Sequence, residues 1–295
     1  MKRGDHSGRM FALGAVGPTM LVMLALVGGP IVYSLYISFH SWYLTQPSTI
    51  GTFTGLSNYA QVLHDDRFWR SVRVTLTFVV LTVSLEVVAG MAVAMLINQV
   101  RRFQGVLLGL IIIPWAIPNV VNALMWKWIL NPYYGALDGA LYSLGIIHDY
   151  TSFLRFPLAA MIAVANAQVW KQLPLVIFIL LAGLQSVPLE FYEASEVDGA
   201  SAWQRFRYIT LPLVRAPLMV VLILQTMESL RVFDIIWVMT GGGPGTSTTV
   251  IAWLTYISAF REFNFGAGAA LSFIITILTL GFTALYIRLL RSDSS

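Results

Sequence analysis

The 295-residue chain contains no cysteine, which excludes disulfides, thiolate metal sites and cysteine nucleophiles. Charge is scarce as well. Asp, Glu, Lys and Arg together make up 11% of the residues, whereas soluble globular domains carry about 25%. So low a proportion excludes a soluble enzyme of this length and an extended charged chain. Histidine is sparse, and His6, His40, His64 and His148 include no pair at one-turn spacing, so no two-histidine metal site on one helix is encoded. No repeat with a period of about 20–50 residues and no low-complexity tract is present. Although the formal net charge is +4, no basic tract interleaves with aromatics, so nucleic acid is not an expected partner.

Apolar residues fill the space that charge leaves. They account for 57% of the chain, and the mean hydropathy is +0.75. Six runs, at 11–39, 74–97, 106–125, 158–184, 217–240 and 266–287, are long enough to cross a bilayer, since a spanning helix needs about 20 residues. Their continuous apolar character excludes a transmembrane barrel, whose strands alternate with period two. The first, third and sixth runs hold no charged residue, the second holds Glu86, the fourth Lys171, and the fifth Glu228, Arg231 and Asp234. The first run exceeds the roughly 7–15 residues of a signal-peptide core and no A-x-A-like site follows it, so it is expected to stay as an uncleaved span.

Lys and Arg placement orients the spans. With the N-terminus inside, ten of them fall in cytoplasmic segments, including Lys2, Arg3 and the Arg101-Arg102 pair, against six outside. The expected fold class is therefore all-α, a polytopic membrane protein with six transmembrane helices and both termini cytoplasmic. The segments near 41–73 and 127–157 are then long external loops, and Gly241-Gly242-Gly243-Pro244-Gly245 forms an external turn that ends the fifth span.

One cytoplasmic loop differs from the rest. Between the fourth and fifth spans the chain reads SVPLEFYEASEVDGASAWQRFRYITLPLVRAP, with four acids and three arginines. Ser186 is placed to cap a short helix with Pro188 in its first turn. Phe191, Ala194, Ser195 and Asp198 then share one face, and Gly199 supplies the positive φ that closes the helix. Ser201 with Gln204 three residues on forms a capping box that opens a second helix. Pro212 and Pro217 break or kink the return to the membrane. The expected product is a helix-turn-helix elbow below the bilayer, with small residues at its tip so that another protein can approach closely.

The elbow carries a family resemblance. Glu193-Ala194-Ser195, Asp198-Gly199-Ala200, Phe206, Ile209, Leu211-Pro212-Leu213 and Pro217 resemble the EAA motif of ABC-type importer permeases, which depend on binding proteins. Ser195 stands where that motif has alanine, a small-for-small change. Phe233-Asp234 through Pro244, and Trp170–Pro174 leading to Leu184, are similar to the carbohydrate-uptake branch, of the maltose and glycerol-phosphate type. The resemblance implies a permease subunit that translocates a sugar or sugar-like solute by alternating access, in a prokaryotic inner membrane. It implies three kinds of partner: a second permease subunit, two ABC ATPase subunits and an extracytoplasmic solute-binding protein. The coupling residues it implies are Glu193, Ala194, Ser195, Asp198, Gly199, Ala200, Phe206, Leu211 and Pro212. With no G-x-x-x-x-G-K-[ST] stretch in the chain, ATP and its Mg are expected on the separate ATPase, and no cofactor here. The implied organisation is an N-terminal tail, first helix and external loop over 1–70, the importer-type transmembrane domain over 71–290 with its coupling loop at 186–217, and a cytoplasmic tail over 291–295.

Ionisable groups within spans are functional candidates by default, because each costs a few kcal/mol in hydrocarbon. Gln168, Lys171 and Gln172 share one turn of the fourth span, and the resemblance places them around a central cavity with Gln225, Glu228 and Ser229. Amides donate and accept in one side chain, which suits a hydroxylated solute. Glu228 and Arg231 are also spaced to pair with each other. Glu86 reads as a helix-packing partner, and Asn119, Asn122, Trp126 and Trp128 as a cavity mouth or interface anchors. Intramembrane charge also serves secondary, ion-coupled transporters, but these need no cytoplasmic elbow. A polytopic membrane enzyme needs paired acids or metal ligands near the spans, and none is spaced for that.

Overall fold

The computed structural model describes residues 4–100, 102–149 and 151–292. Lys2, Arg3 and Arg101, used above for orientation, lie outside the described residues, as does the tail from 293 on. The chain divides into two units, one of residues 1–65 and 255–274, the other of 66–254 and 275–295.

The first unit opens with α1 (Gly4–Met23), which passes through a π-helical turn at Leu24–Gly28 into α2 (Gly29–Ser38). Residues Gly14–Ser38 form one apolar stretch of 25 residues. At 1.5 Å per residue this is about 38 Å long, enough to cross about 30 Å of hydrocarbon. The segment after it was expected to be a loop, but it folds. Strands β1 (His40–Ser41) and β2 (Thr52–Phe53) pair antiparallel, with His40 opposite Phe53. The helix that follows, α3 (Ser57–His64), holds buried Asn58, whose amide donates to the carbonyls of Ser38 and His40, both at 2.9 Å. A Cβ on Gly266 would fall 2.8 Å from the His40 carbonyl oxygen, so this contact requires glycine.

The second unit is built on two long helices, α4 (Asp66–Gln99), and, after the elements between, Pro157–Gln185. Between them lie α5 (Gln104–Ile111), α6 (Ile113–Ala116), α7 (Asn119–Ile129) and α8 (Ala136–Ser143). The third apolar run is not one straight helix. Gln104–Ala116 and Asn119–Ile129 meet at 94°, because Pro118 forces the residue before it out of the helical region, and Ile117 has ψ 132°. The 127–157 segment is likewise not all loop, since α8 lies within it.

Helix α9 (Pro157–Gln185) packs along α4, where Gly90 lets Val176 approach so closely that any Cβ would collide with it. Met91, Ala94, Ile97, Val176, Ile177, Leu180 and Leu184 form the core between them. The chain continues through α10 (Leu189–Val197), α11 (Ala202–Arg205), a π-helical turn at Phe206–Thr210, α12 (Leu211–Leu213) and α13 (Arg215–Leu230). Gly183 of α9 sits against Pro217 of α13. The fifth apolar run is broken too. α13 ends at Leu230, and a new helix, α14 (Asp234–Met239), begins after a three-residue gap. Then come α15 (Ile251–Tyr256) and the long α16 (Phe265–Ser292). Among the described residues, four helices are long and apolar enough to cross a membrane, or six if each bent pair counts as one span.

Candidate functional site

The elbow between α9 and α13 is positioned by local capping. Ser186 does not cap α10 as expected. It ends α9 instead, and its Oγ donates back to the Gly183 carbonyl at 2.7 Å, a bond that an α-helix C-terminus offers to any nearby hydroxyl. Gly199 has φ +75° and closes α10. The Ala200 N–H donates to the Ser195 carbonyl at 2.9 Å beside it. The Ser201–Gln204 capping box is complete, with the Ser201 N–H donating to Gln204 Oε1 at 2.7 Å and the Gln204 N–H to Ser201 Oγ at 3.3 Å. An Arg205–Glu196 ion pair and a Tyr192–Thr210 hydroxyl contact at 3.0 Å tie the two arms together.

The motif residues divide by exposure. Glu193, Ala194, Asp198 and Gly199 are exposed, Ser195, Ala200, Phe206 and Leu211 half-buried, and Pro212 exposed. A concavity of about 320 Å³ is lined by Ser195, Asp198, Gly199, Ala200, Gln204 and Arg205 together with Tyr208 and Ile209. Around it stand Val197 at 88%, Tyr208 at 75% and Trp203 at 68% exposure. Exposed apolar side chains gathered in this way mark a surface for contact with a protein or a membrane. The elbow's other side, with the end of α4, encloses about 1070 Å³ lined by residues such as Met95, Gln99, Tyr192 and Phe206. After α12 the chain turns by 71° at Val214 into α13.

The polar turns inside the apolar layer fall into two groups. Gln168 and Gln172 of α9 and Glu228 of α13 line one cavity of about 70 Å³, together with Asn119 and the stretch from Arg231 to Ile235. Glu228 and Arg231 pair at 3.4 Å, both side chains about half exposed. Asp234 is not the next member of that row, because the helix breaks before it, and its carboxylate accepts from Asn119 Nδ2 at 3.0 Å. Lys171, on the same turn as the two glutamines, donates to the Trp115 carbonyl at 3.2 Å.

Gln225 and Ser229 do not line this cavity. Both are fully buried, and Ser229 Oγ meets Thr82 Oγ1 of α4 at 3.0 Å. Glu86, one turn from Thr82, is fully buried, and neither its carboxyl oxygens nor the amide atoms of Gln225 have a hydrogen-bond partner among the described residues. Of the expected mouth residues, Asn119 lines the cavity. Asn122 is buried and donates to the Ala167 carbonyl at 3.1 Å. Trp126 lies edge-on to Trp170, and Trp128 is exposed. The break at Arg231–Phe233 does not show in the sequence because no glycine or proline marks it, and the acid at Asp234 suits the helix N-terminus that follows.

Long apolar helices joined by an exposed, capped elbow make up the second unit. One solved structure that shares this fold is a bacterial ABC transporter involved in the import of the acidic polysaccharide alginate. It matches with a TM-score of 0.84 and 21% identity over 99% of this chain and 98% of that one. A second structure, of a bacterial alginate ABC transporter in complex with an alginate pentasaccharide-bound periplasmic protein, matches with a TM-score of 0.83 and 21% identity. It covers 100% of this chain and 99% of that chain.

Residues 86–292 match the family described as "Binding-protein-dependent transport system inner membrane component", and the chain belongs to it. The trehalose/maltose transport system permease protein MalF of Thermococcus litoralis is 40% identical over 277 residues, covering 93% of this chain and 91% of that protein. The sulfoquinovosyl glycerol transport system permease protein SmoG of Agrobacterium fabrum is 32% identical, covering 98% and 92%. The family is the one that the elbow motif implied.

Proposed function

We propose that this chain is the membrane-spanning permease subunit of an ATP-driven importer, and that it carries a sugar or sugar-like solute by alternating access. It crosses the membrane six times with both termini in the cytoplasm, and its transmembrane domain covers 71–290. A second permease completes the pathway, two ABC ATPase subunits hold ATP and Mg, and an extracytoplasmic binding protein delivers solute. The names of the relatives, trehalose/maltose and sulfoquinovosyl glycerol, favour a glycoside of about disaccharide size.

One observation carries this reading, the geometry of the elbow. Gly199 takes a left-handed φ of +75°, and nothing lies within 4 Å of where its Cβ would be. The tip therefore presents bare backbone outward, flanked by exposed Val197 and Tyr208. Glu193, Ala194, Ser195, Asp198 and Ala200 form the contact with the ATPase cleft. Phe206, Leu211 and Pro212 carry its movement through the 71° bend into α13. The solute pathway includes Gln168, Lys171, Gln172 and Glu228, whose amides and charges suit hydroxyl groups. Gln225 and Ser229, grouped with them from the sequence, face α4, and a different task for them is argued below.

Replacing Gly199 with Asp tests the assignment. A side chain at this φ is strained by about 1–2 kcal/mol, and it projects toward the ATPase. The variant is expected to reach the membrane normally and to lose uptake of a disaccharide panel headed by trehalose and maltose. Wild-type uptake by a normally inserted Gly199→Asp chain would overturn the coupling assignment.

A further inference from the structure

Four fully buried side chains on α4 and α13, Thr82, Glu86, Gln225 and Ser229, form a polar layer between two apolar helices. Thr82 and Ser229 hold each other at 3.0 Å. Leu230 packs with Val79 and Val83, whereas Val221 joins the cluster of Met91, Ala94 and Ile97, so α4 and α13 run in opposite directions. One turn along α4 from Thr82 is Glu86, and one turn back along α13 from Ser229 is Gln225, which brings the two residues to the same level of the helix pair, although their side chains do not bond to each other in this structure. Val79, Val83 and Leu230 close the layer on one side.

The four polar atoms of Glu86 and Gln225 have no partner among the described residues. Orphaned buried groups of this kind cost free energy until they find one. The neighbouring charges do not supply it. Glu228 of α13 is of like sign and pairs with Arg231, and Lys171 of α9 donates to the Trp115 carbonyl. Tyr286 of α16 meets the Thr226 hydroxyl. What fits is reciprocal. A carboxylic acid offers one O–H and one carbonyl oxygen, and a primary amide one carbonyl oxygen and two N–H donors. Paired face to face they make two hydrogen bonds and occupy all four atoms, with neither water nor ion. A carboxylate would leave the Gln225 carbonyl without a donor.

We propose that Glu86 and Gln225 form a carboxylic acid–amide pair that ties α4 to α13, making Glu86 a positioning residue for the coupling movement and not a solute ligand. The proposal rests on the elbow reading, because α13 is the helix into which the elbow leads. With the pair closed, a displacement of α13 carries α4 with it, and the long α4–α9 core follows.

The test uses the full complex in proteoliposomes with its binding protein, reading ATP hydrolysis and the infrared band of a protonated carboxyl. Glu86→Leu removes the pair and strands the amide, and ATP hydrolysis by the complex is expected to fall about ten-fold, the scale of one lost buried hydrogen bond. Glu86→Gln preserves two reciprocal bonds and should stay within about two-fold of wild type while losing the carboxyl band. The exchange of both residues, Glu86→Gln with Gln225→Glu, should keep activity and restore the band. Should Glu86→Leu fail to accumulate, the last two variants still decide.

Wild-type hydrolysis by Glu86→Leu would overturn the proposal. So would a loss in Glu86→Gln as deep as in Glu86→Leu, which would mean that a carboxylate charge holds a cation there. The absence of a protonated carboxyl band that depends on Glu86 would overturn it as well. Failure of the elbow reading looks different. Gly199→Asp would then couple normally, while the Glu86 variants would still group by their hydrogen-bonding capacity.

Discussion

The elbow and the α4–α9–α13 core hold their shapes by opposite means. The bonds that shape the elbow are made inside it, the widest of them from Tyr192 to Thr210. Its shape also rests on the Ser201–Gln204 capping box, the left-handed Gly199, and the ion pair from Glu196 to Arg205. The core is fixed by contacts between residues far apart in the chain. Gly90 receives Val176, Gly183 receives Pro217, and Thr82 meets Ser229. Helices in a bilayer gain little from hydrophobic burial against each other, so close packing at small residues and shared polar bonds must hold them. The elbow rests Tyr192, Phe206 and Ile209 on the core and leaves Val197 and Tyr208 bare, so it is suited to pass a push inward. A core locked by close packing is suited to move as one body.

If that contrast is right, a bulky residue in the core should do more damage than any change at the elbow surface. Gly183→Leu is expected to have the largest effect. A side chain there meets the Pro217 ring directly, and overpacking of this kind costs about 1–3 kcal/mol or more. The variant should accumulate poorly and lose thermal stability in detergent, whereas Gly199→Asp should accumulate normally and lose only coupling. Equal thermal stability of Gly183→Leu and wild type would break the comparison on the core side.

The smallest expected effect is at Glu228 and Arg231. Both side chains are about half exposed at 3.4 Å separation, and such pairs contribute about 0–1 kcal/mol. Glu228→Ala should therefore leave stability nearly unchanged while altering solute preference in uptake competition, because the carboxylate lines the polar cavity. A double-mutant cycle with Arg231→Ala should show little coupling in stability. A large stability coupling, with solute preference unchanged, would assign the pair to structure alone.

The same division explains what could be read in the sequence. Gly199 and the Ser201–Gln204 box were legible because capping depends on spacing within one turn. The binding-protein-dependent permease family followed from the elbow motif. Contacts between distant segments were not legible. The 41–73 segment reads as a loop, since nothing local reveals that the Asn58 amide will bond two carbonyls some twenty positions back. Gln225 and Ser229 read as lining a cavity with Glu228. All three lie on one stretch of α13, and only the rotation of that helix against α4 decides which faces inward. The bend at Pro118 and the break at Arg231–Phe233 sit inside apolar runs, where hydropathy alone draws a straight helix.

The central claim is that the exposed elbow is where a cytoplasmic ATPase seats. The chain has no cysteine of its own, so single cysteines report without background. Val197 at the elbow and Tyr133 in the 127–157 segment are both nearly fully exposed, at 88% and 87%. In intact cells carrying the whole complex, Val197→Cys should be shielded from an impermeant thiol reagent and should crosslink to the ATPase subunit. Tyr133→Cys should be labelled from outside and should not reach the ATPase. Labelling of Val197→Cys from outside, or no crosslink from it to the ATPase, would contradict the account.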